Sequence, residues 1–170
     1  MLLNEQEYKA VRDRICGELR FRPDAKARGH SLLWWKRPFR LPRPWAVYAL
    51  DGVSREQIEQ TESAVKACFL AATEPGERLY AMDWQHSAFL FDPRKEEEQR
   101  SEQRTDADGE VWTAEFPFCY PDGDYYFFLD ERFRFGYLGH PWRKEIWVFG
   151  GRLLPEIDRA APTLGWRRLR

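Results

Sequence analysis

YPDGDYYFFLD at 120–130, FGYLGHPW at 135–142 and EIWVFGG at 145–151 spell out strands and turns in alternation. Pro121, Asp122, Gly123 and Asp124 form a turn cluster between apolar runs, because Pro presets φ, Gly tolerates φ > 0 and Asp bonds to nearby backbone. A hairpin begins there, and the short spacing of the following aromatic runs predicts an antiparallel meander. Pro141 cannot donate to a sheet ladder, so His140 and Trp142 are expected on a loop or bulge at a strand end, where binding residues gather.

Outward from this stretch, runs rich in aromatic and β-branched residues predict further strands at 46–50, 77–84, 87–91 and 111–118, beside those at 125–129, 133–138 and 145–149. A helix is predicted over 5–19, where Asn4 and Glu7 have capping-box spacing and Tyr8, Val11, Ile15 and Leu19 recur at helical intervals. A second is predicted over 55–72, opened by Ser54 with Gln57 and closed by Pro75 and Gly76. A short helix around 155–160 precedes Pro162 and Gly165. The connection 21–44 carries four prolines, which disfavour helix and central strand, and reads as a surface segment. From 94 to 110, eleven of seventeen residues are charged and no apolar period survives, so this reads as a mobile loop between strands. The expected fold is α+β: a five-to-seven-stranded antiparallel meander sheet with two amphipathic helices packed on one face, in a single domain over 1–170.

At 170 residues, 43% hydrophobic and 16% aromatic, the chain is long enough to bury one core without staples. Three scattered cysteines, Cys16, Cys68 and Cys119, form no C-x-x-C pair, which argues against a disulfide framework or a structural zinc site. Glu5 stands where a signal peptide needs a basic segment, and no apolar run reaches membrane-spanning length, so a cytoplasmic protein off the membrane is expected. The net charge of −1 conceals an asymmetry: residues 1–45 carry 11 Lys/Arg against 5 Asp/Glu, and residues 46–151 carry 11 against 21. Either the basic ends neutralise the acidic middle, or they form an anion-binding face.

The blocks LYAMDWQH at 79–86, PDGDYYFFL at 121–129, GHPW at 139–142 and VFG at 148–150 together resemble the bacterial domain-of-unknown-function family numbered 2716. The resemblance spans roughly residues 8–154 and implies a small single-domain bacterial protein. It carries over no reaction and no catalytic residue. Met82 stands where Leu is expected, a volume-conserving exchange.

Three constellations carry chemistry. Asp83, Trp84, Gln85 and His86 occupy a sharp join between two strands; His86 reads either as a general base oriented by Asp83 or as a satisfied structural group of the turn. His140 and Trp142, with Asp122 and Asp124 from the preceding hairpin, should fall at the same sheet end. Convergence of His140, His86 and a carboxylate would suit a metal, yet no ligand spacing such as H-x-H or H-E-x-x-H accompanies them, and neither metal nor cofactor is expected. Trp34 and Trp35, with Arg37, Arg40, Arg43 and Trp45, could stack bases or bind phosphate, but a pI near 6.3 argues against a dedicated nucleic-acid binder. No nucleophile elbow, P-loop or dinucleotide fingerprint occurs. The expected function is recognition of a protein partner or small ligand at an aromatic and histidine-lined sheet end, with Trp34, Trp35, Trp84, Gln85, Trp142 and Arg143 as contacts. The competing expectation is a small hydrolase or transferase using His86 and His140 with Asp83 or Asp124.

Overall fold

The computed structural model describes residues 1–23, 39–105 and 108–170. The chain is α+β. In order it forms α1 (Glu5–Glu18), β1 (Trp45–Ala49), α2 (Arg55–Ala72), β2 (Leu79–Asp83), β3 (Ser87–Phe91), β4 (Glu102–Thr105), β5 (Val111–Ala114), β6 (Tyr126–Asp130), β7 (Gly136–His140), β8 (Glu145–Phe149), α3 (Leu154–Ala160) and β9 (Arg167–Arg168). Both long helices begin as their sequences dictate. Asn4 accepts from the Glu7 amide at 3.0 Å while the Glu7 carboxylate accepts from the Asn4 amide at 2.9 Å, and Ser54 and Gln57 repeat the exchange on α2.

Among the described residues seven strands form one sheet in the order β3-β2-β6-β7-β8-β1-β9, every pair antiparallel, with β4 and β5 as a separate ribbon. The meander survives only as β6-β7-β8, because β1 comes from early in the chain to pair with β8.

The expectation of both helices on one face is corrected. Val11 and Ile15 of α1 pack with Val47, Met82, Phe127, Leu129, Leu138 and Trp147 on one side. Val65, Cys68 and Phe69 of α2, with Ile157 of α3, pack with Ala46, Tyr48, Ala81, Phe128, Tyr137 and Val148 on the other. Successive strand residues point to opposite faces, and β2, β6 and β7 are apolar on both. A single helical layer would have left Phe127, Leu129 and Leu138 in water.

Two other elements differ from expectation. The run 111–118 is strand only to Ala114 and joins the ribbon rather than the main sheet. The charged segment 94–110, read as a loop, contains a 3₁₀ turn at Glu96–Glu98 and the strand β4. Its partner β5 pairs Arg104 with Trp112 and Gln103 with Thr113. The edge of β3 is covered by the first residues of the chain, through Leu3 N–H to Ala88 C=O and Leu90 N–H to Met1 C=O, each at 2.8 Å. The Leu2 amide in turn donates to Glu102 at 3.3 Å, which ties this segment to the ribbon. No helix among the described residues is long and apolar enough to cross a membrane.

Candidate functional site

Register places both expected corners on one rim of the sheet. Asp83 at the end of β2 pairs with Tyr126 at the start of β6, and Tyr126 pairs with Gly139 near the end of β7. Just past this row the Trp84 amide donates to Tyr125 C=O at 3.1 Å, and the Tyr125 ring meets the His140 ring edge-on at 4.8 Å. Gly139 permits the close approach of the 121–124 turn: a Cβ there would stand 2.8 Å from the Pro121 Cβ.

Asp83, His86 and Asp124 converge. His86 Nδ1 lies 3.0 Å from Asp83 Oδ1 and 4.0 Å from Asp124 Oδ2. Both carboxylates are buried, whereas the His86 side chain is 66% exposed. The Asp124 carboxylate accepts from the Tyr125 amide at 2.7 Å and the Gln85 amide at 3.1 Å. Burial nonetheless pushes the Asp124 carboxyl up to about 6, and its hydrogen bond and charge contact with Asp83 push the same way. The Asp83 hydrogen bond raises the His86 pKa against the opposing effect of partial burial. The corner thus contains an imidazole held toward its cationic form beside a pair of interacting carboxyls. Donor atoms of these three residues all lie within 4.8 Å of one another, so they could share a cation.

His140, which the competing hydrolase or transferase expectation joined to His86, is not part of that set. It is fully buried, accepts from the Arg143 amide at 3.3 Å through Nδ1, and its Nε2 has no hydrogen-bond partner among the described residues. Burial, with the Arg143 charge, lowers its pKa to about 3. Its ring is a core ring closing β7, rather than one projecting from a loop as its neighbour Pro141 suggested. Trp142 does project, 37% exposed and packed edge-on against Tyr125 at 4.7 Å. Arg143 ends the 3₁₀ turn Pro141–Arg143, half-buried. Trp84 is only 4% exposed; its indole meets Phe21 at 4.7 Å and Phe127 at 5.5 Å, under the Arg12 guanidinium. Its side chain therefore belongs to the core, and Gln85 beside it is exposed. Trp34 and Trp35 lie outside the described residues.

The exposed face of His86 opens into a cleft of about 470 Å³, within the range of small-molecule sites. The N-terminal segment, the start of α1, Tyr8, Ser87, Ala88, Arg104, Thr105 and Trp112 complete its walls. Arg104 and Trp112 were not singled out from the sequence, and Tyr8 was read only as part of the apolar stripe of the first helix. Arg104 lies in the segment dismissed as a loop, and Trp112 in a run read as an ordinary core strand. The run that holds Trp112 pairs with β4 rather than with the main sheet, which leaves Val111 and Trp112 exposed.

Fold and site together define a small α+β protein with a seven-stranded antiparallel sheet, a separate two-stranded ribbon, helices on both faces of the sheet and an acid-histidine corner opening into a cleft. The chain belongs to the DUF2716 family, proteins of unknown function, which it matches over residues 2–154. The resemblance seen in the blocks at 79–86, 121–129, 139–142 and 148–150 is thereby borne out. It is similar to the uncharacterized protein YxiI of Bacillus subtilis (strain 168), 36% identical over 132 residues, which cover 72% of this chain and 75% of that protein. No solved structure matches the chain.

Proposed function

We propose that this chain is a single-domain cytosolic recognition module that binds a small ligand in the cleft beside His86. The observation that carries the reading is the composition of that cleft. It joins polar groups from His86 and Arg104 to aromatic surface from Tyr8 and Trp112 over an apolar floor of Leu2, Leu3 and Ala88. A few placed polar groups over an apolar, aromatic lining are what small-molecule sites require. The cleft volume of about 470 Å³ favours a small ligand over a protein partner.

A thermal-shift screen of the purified chain against a library of small metabolites tests this. Compounds that raise Tm should lose their effect in Trp112→Ala and keep it in Trp142→Ala. An absence of stabilising compounds, or stabilisation indifferent to Trp112, would remove the reading.

One observation supports a second reading, a small hydrolase or transferase. His86 is oriented by a buried carboxylate at 3.0 Å and faces the cleft, as a general base must. His86 with Asp83 or Asp124 would carry the proton transfer; His140 has no part in this version, being enclosed behind Tyr125. His86→Gln separates the two readings: a recognition module keeps most of its ligand affinity, whereas an enzyme binds but no longer turns over.

A further inference from the structure

We infer that the ligand of this cleft is a small planar anion, a ring bearing a carboxylate or phosphate, with its ring against Trp112 and its charge toward Arg104. This rests on the cleft being a ligand site, and three independent features of the wall specify the chemistry.

The first is the ribbon. Arg104 and Trp112 are directly opposite each other on β4 and β5, so their side chains share one face of the ribbon and present a guanidinium next to an indole. Both line the cleft. Trp112 is 41% exposed, so part of its indole is open to a ligand.

The second is that the Arg104 side chain is uncommitted among the described residues. Arg94 in the same charged segment donates to Leu70, Thr73 and Glu74 and so is structural. Arg104 has no hydrogen bond, ion pair or ring contact among the described residues. A guanidinium next to an aromatic ring offers forked donors to a carboxylate or phosphate while the ring takes a flat partner.

The third is the charge on the opposite wall. His86 lines the cleft with its side chain 66% exposed, and the positive end of the α1 dipole opens on the cleft at Asn4 and Glu5. Tyr8 contributes ring surface, since its hydroxyl already donates to Trp84 C=O at 2.6 Å. The groups that oppose an anion are the exposed Glu5 carboxylate, Glu7 in the Asn4 cap, Glu102 beside the Leu2 amide and two residues before Arg104 on β4, and the buried Asp83 and Asp124 beneath His86. Glu5 therefore supplies a test of sign.

Calorimetric titration of the full chain at low salt would use two probe pairs: indole-3-carboxylate against indole, and adenosine monophosphate against adenosine. At least one anion should bind about tenfold more tightly than its neutral counterpart. Arg104→Gln should abolish that preference without weakening the neutral compound, and Glu5→Gln should strengthen the anion. Which anion responds distinguishes carboxylate from phosphate. Equal binding of neutral and anionic probes, or weaker anion binding in Glu5→Gln, overturns the inference while leaving a ligand cleft. Failure of all four probes to bind overturns the inference, and the thermal-shift screen then decides separately whether the cleft binds anything.

Discussion

His140 shows how far a residue's chemistry depends on its surroundings. Beside Pro141 and Trp142 it reads as a projecting loop histidine, yet the β7 ladder carries it inward, where burial lowers its pKa to about 3. The neutral ring contributes its full stability above about pH 6.5, and that contribution is lost as pH falls toward 3. Across this window wild type should lose stability faster than His140→Asn, which keeps an acceptor for the Arg143 amide, by about 1.4 kcal/mol per pH unit. Urea denaturation at half-unit pH steps measures the difference in slope; parallel curves would mean that the ring already titrates normally. His86 is the contrasting case. Asp83, three residues earlier, was legible as its partner; Asp124, thirty-eight residues later, became a neighbour only through the β2-β6 register.

Elements bring the corner together through one tight contact, the 121–124 turn lying on Gly139. In Gly139→Ala the new methyl group meets Pro121, which should cost about 1–3 kcal/mol and lift Asp124 away from the Gln85 amide. Gly123→Ala in the same turn adds a methyl group into open space and should be near neutral. Denaturant midpoints compare the two, and an NMR titration of His86 reports whether the corner has opened. Helix bounds were readable because capping boxes and apolar spacing are local, as at Asn4/Glu7 and Ser54/Gln57. β4 was not readable. Gln103, Arg104 and Thr105 are exposed, so the strand has no buried face to impose period two, and only pairing with β5 defines it.

Across the whole molecule the sheet separates two cores, one under α1 and one under α2 and α3. Ile15 and Ile157 lie fully buried in different cores. Ile15→Val and Ile157→Val should each cost about 0.5–1.5 kcal/mol, and the double variant should equal their sum to within about 0.5 kcal/mol. Chemical denaturation of the three variants measures this, and strong coupling would mean that the sheet does not divide the cores. The uninterrupted apolar run of residues 125–129 already carried the clue, since a strand with a wet face alternates and this one does not. The amino-acid order by itself determined the helices, the turns and the antiparallel class, because caps, glycines and prolines act on near neighbours. Only tertiary structure decided which helix covers which face, that His140 turns inward, and that Arg104 and Trp112 close a cleft over His86. Those outcomes depend on strand order and register between distant segments, and no local preference encodes them.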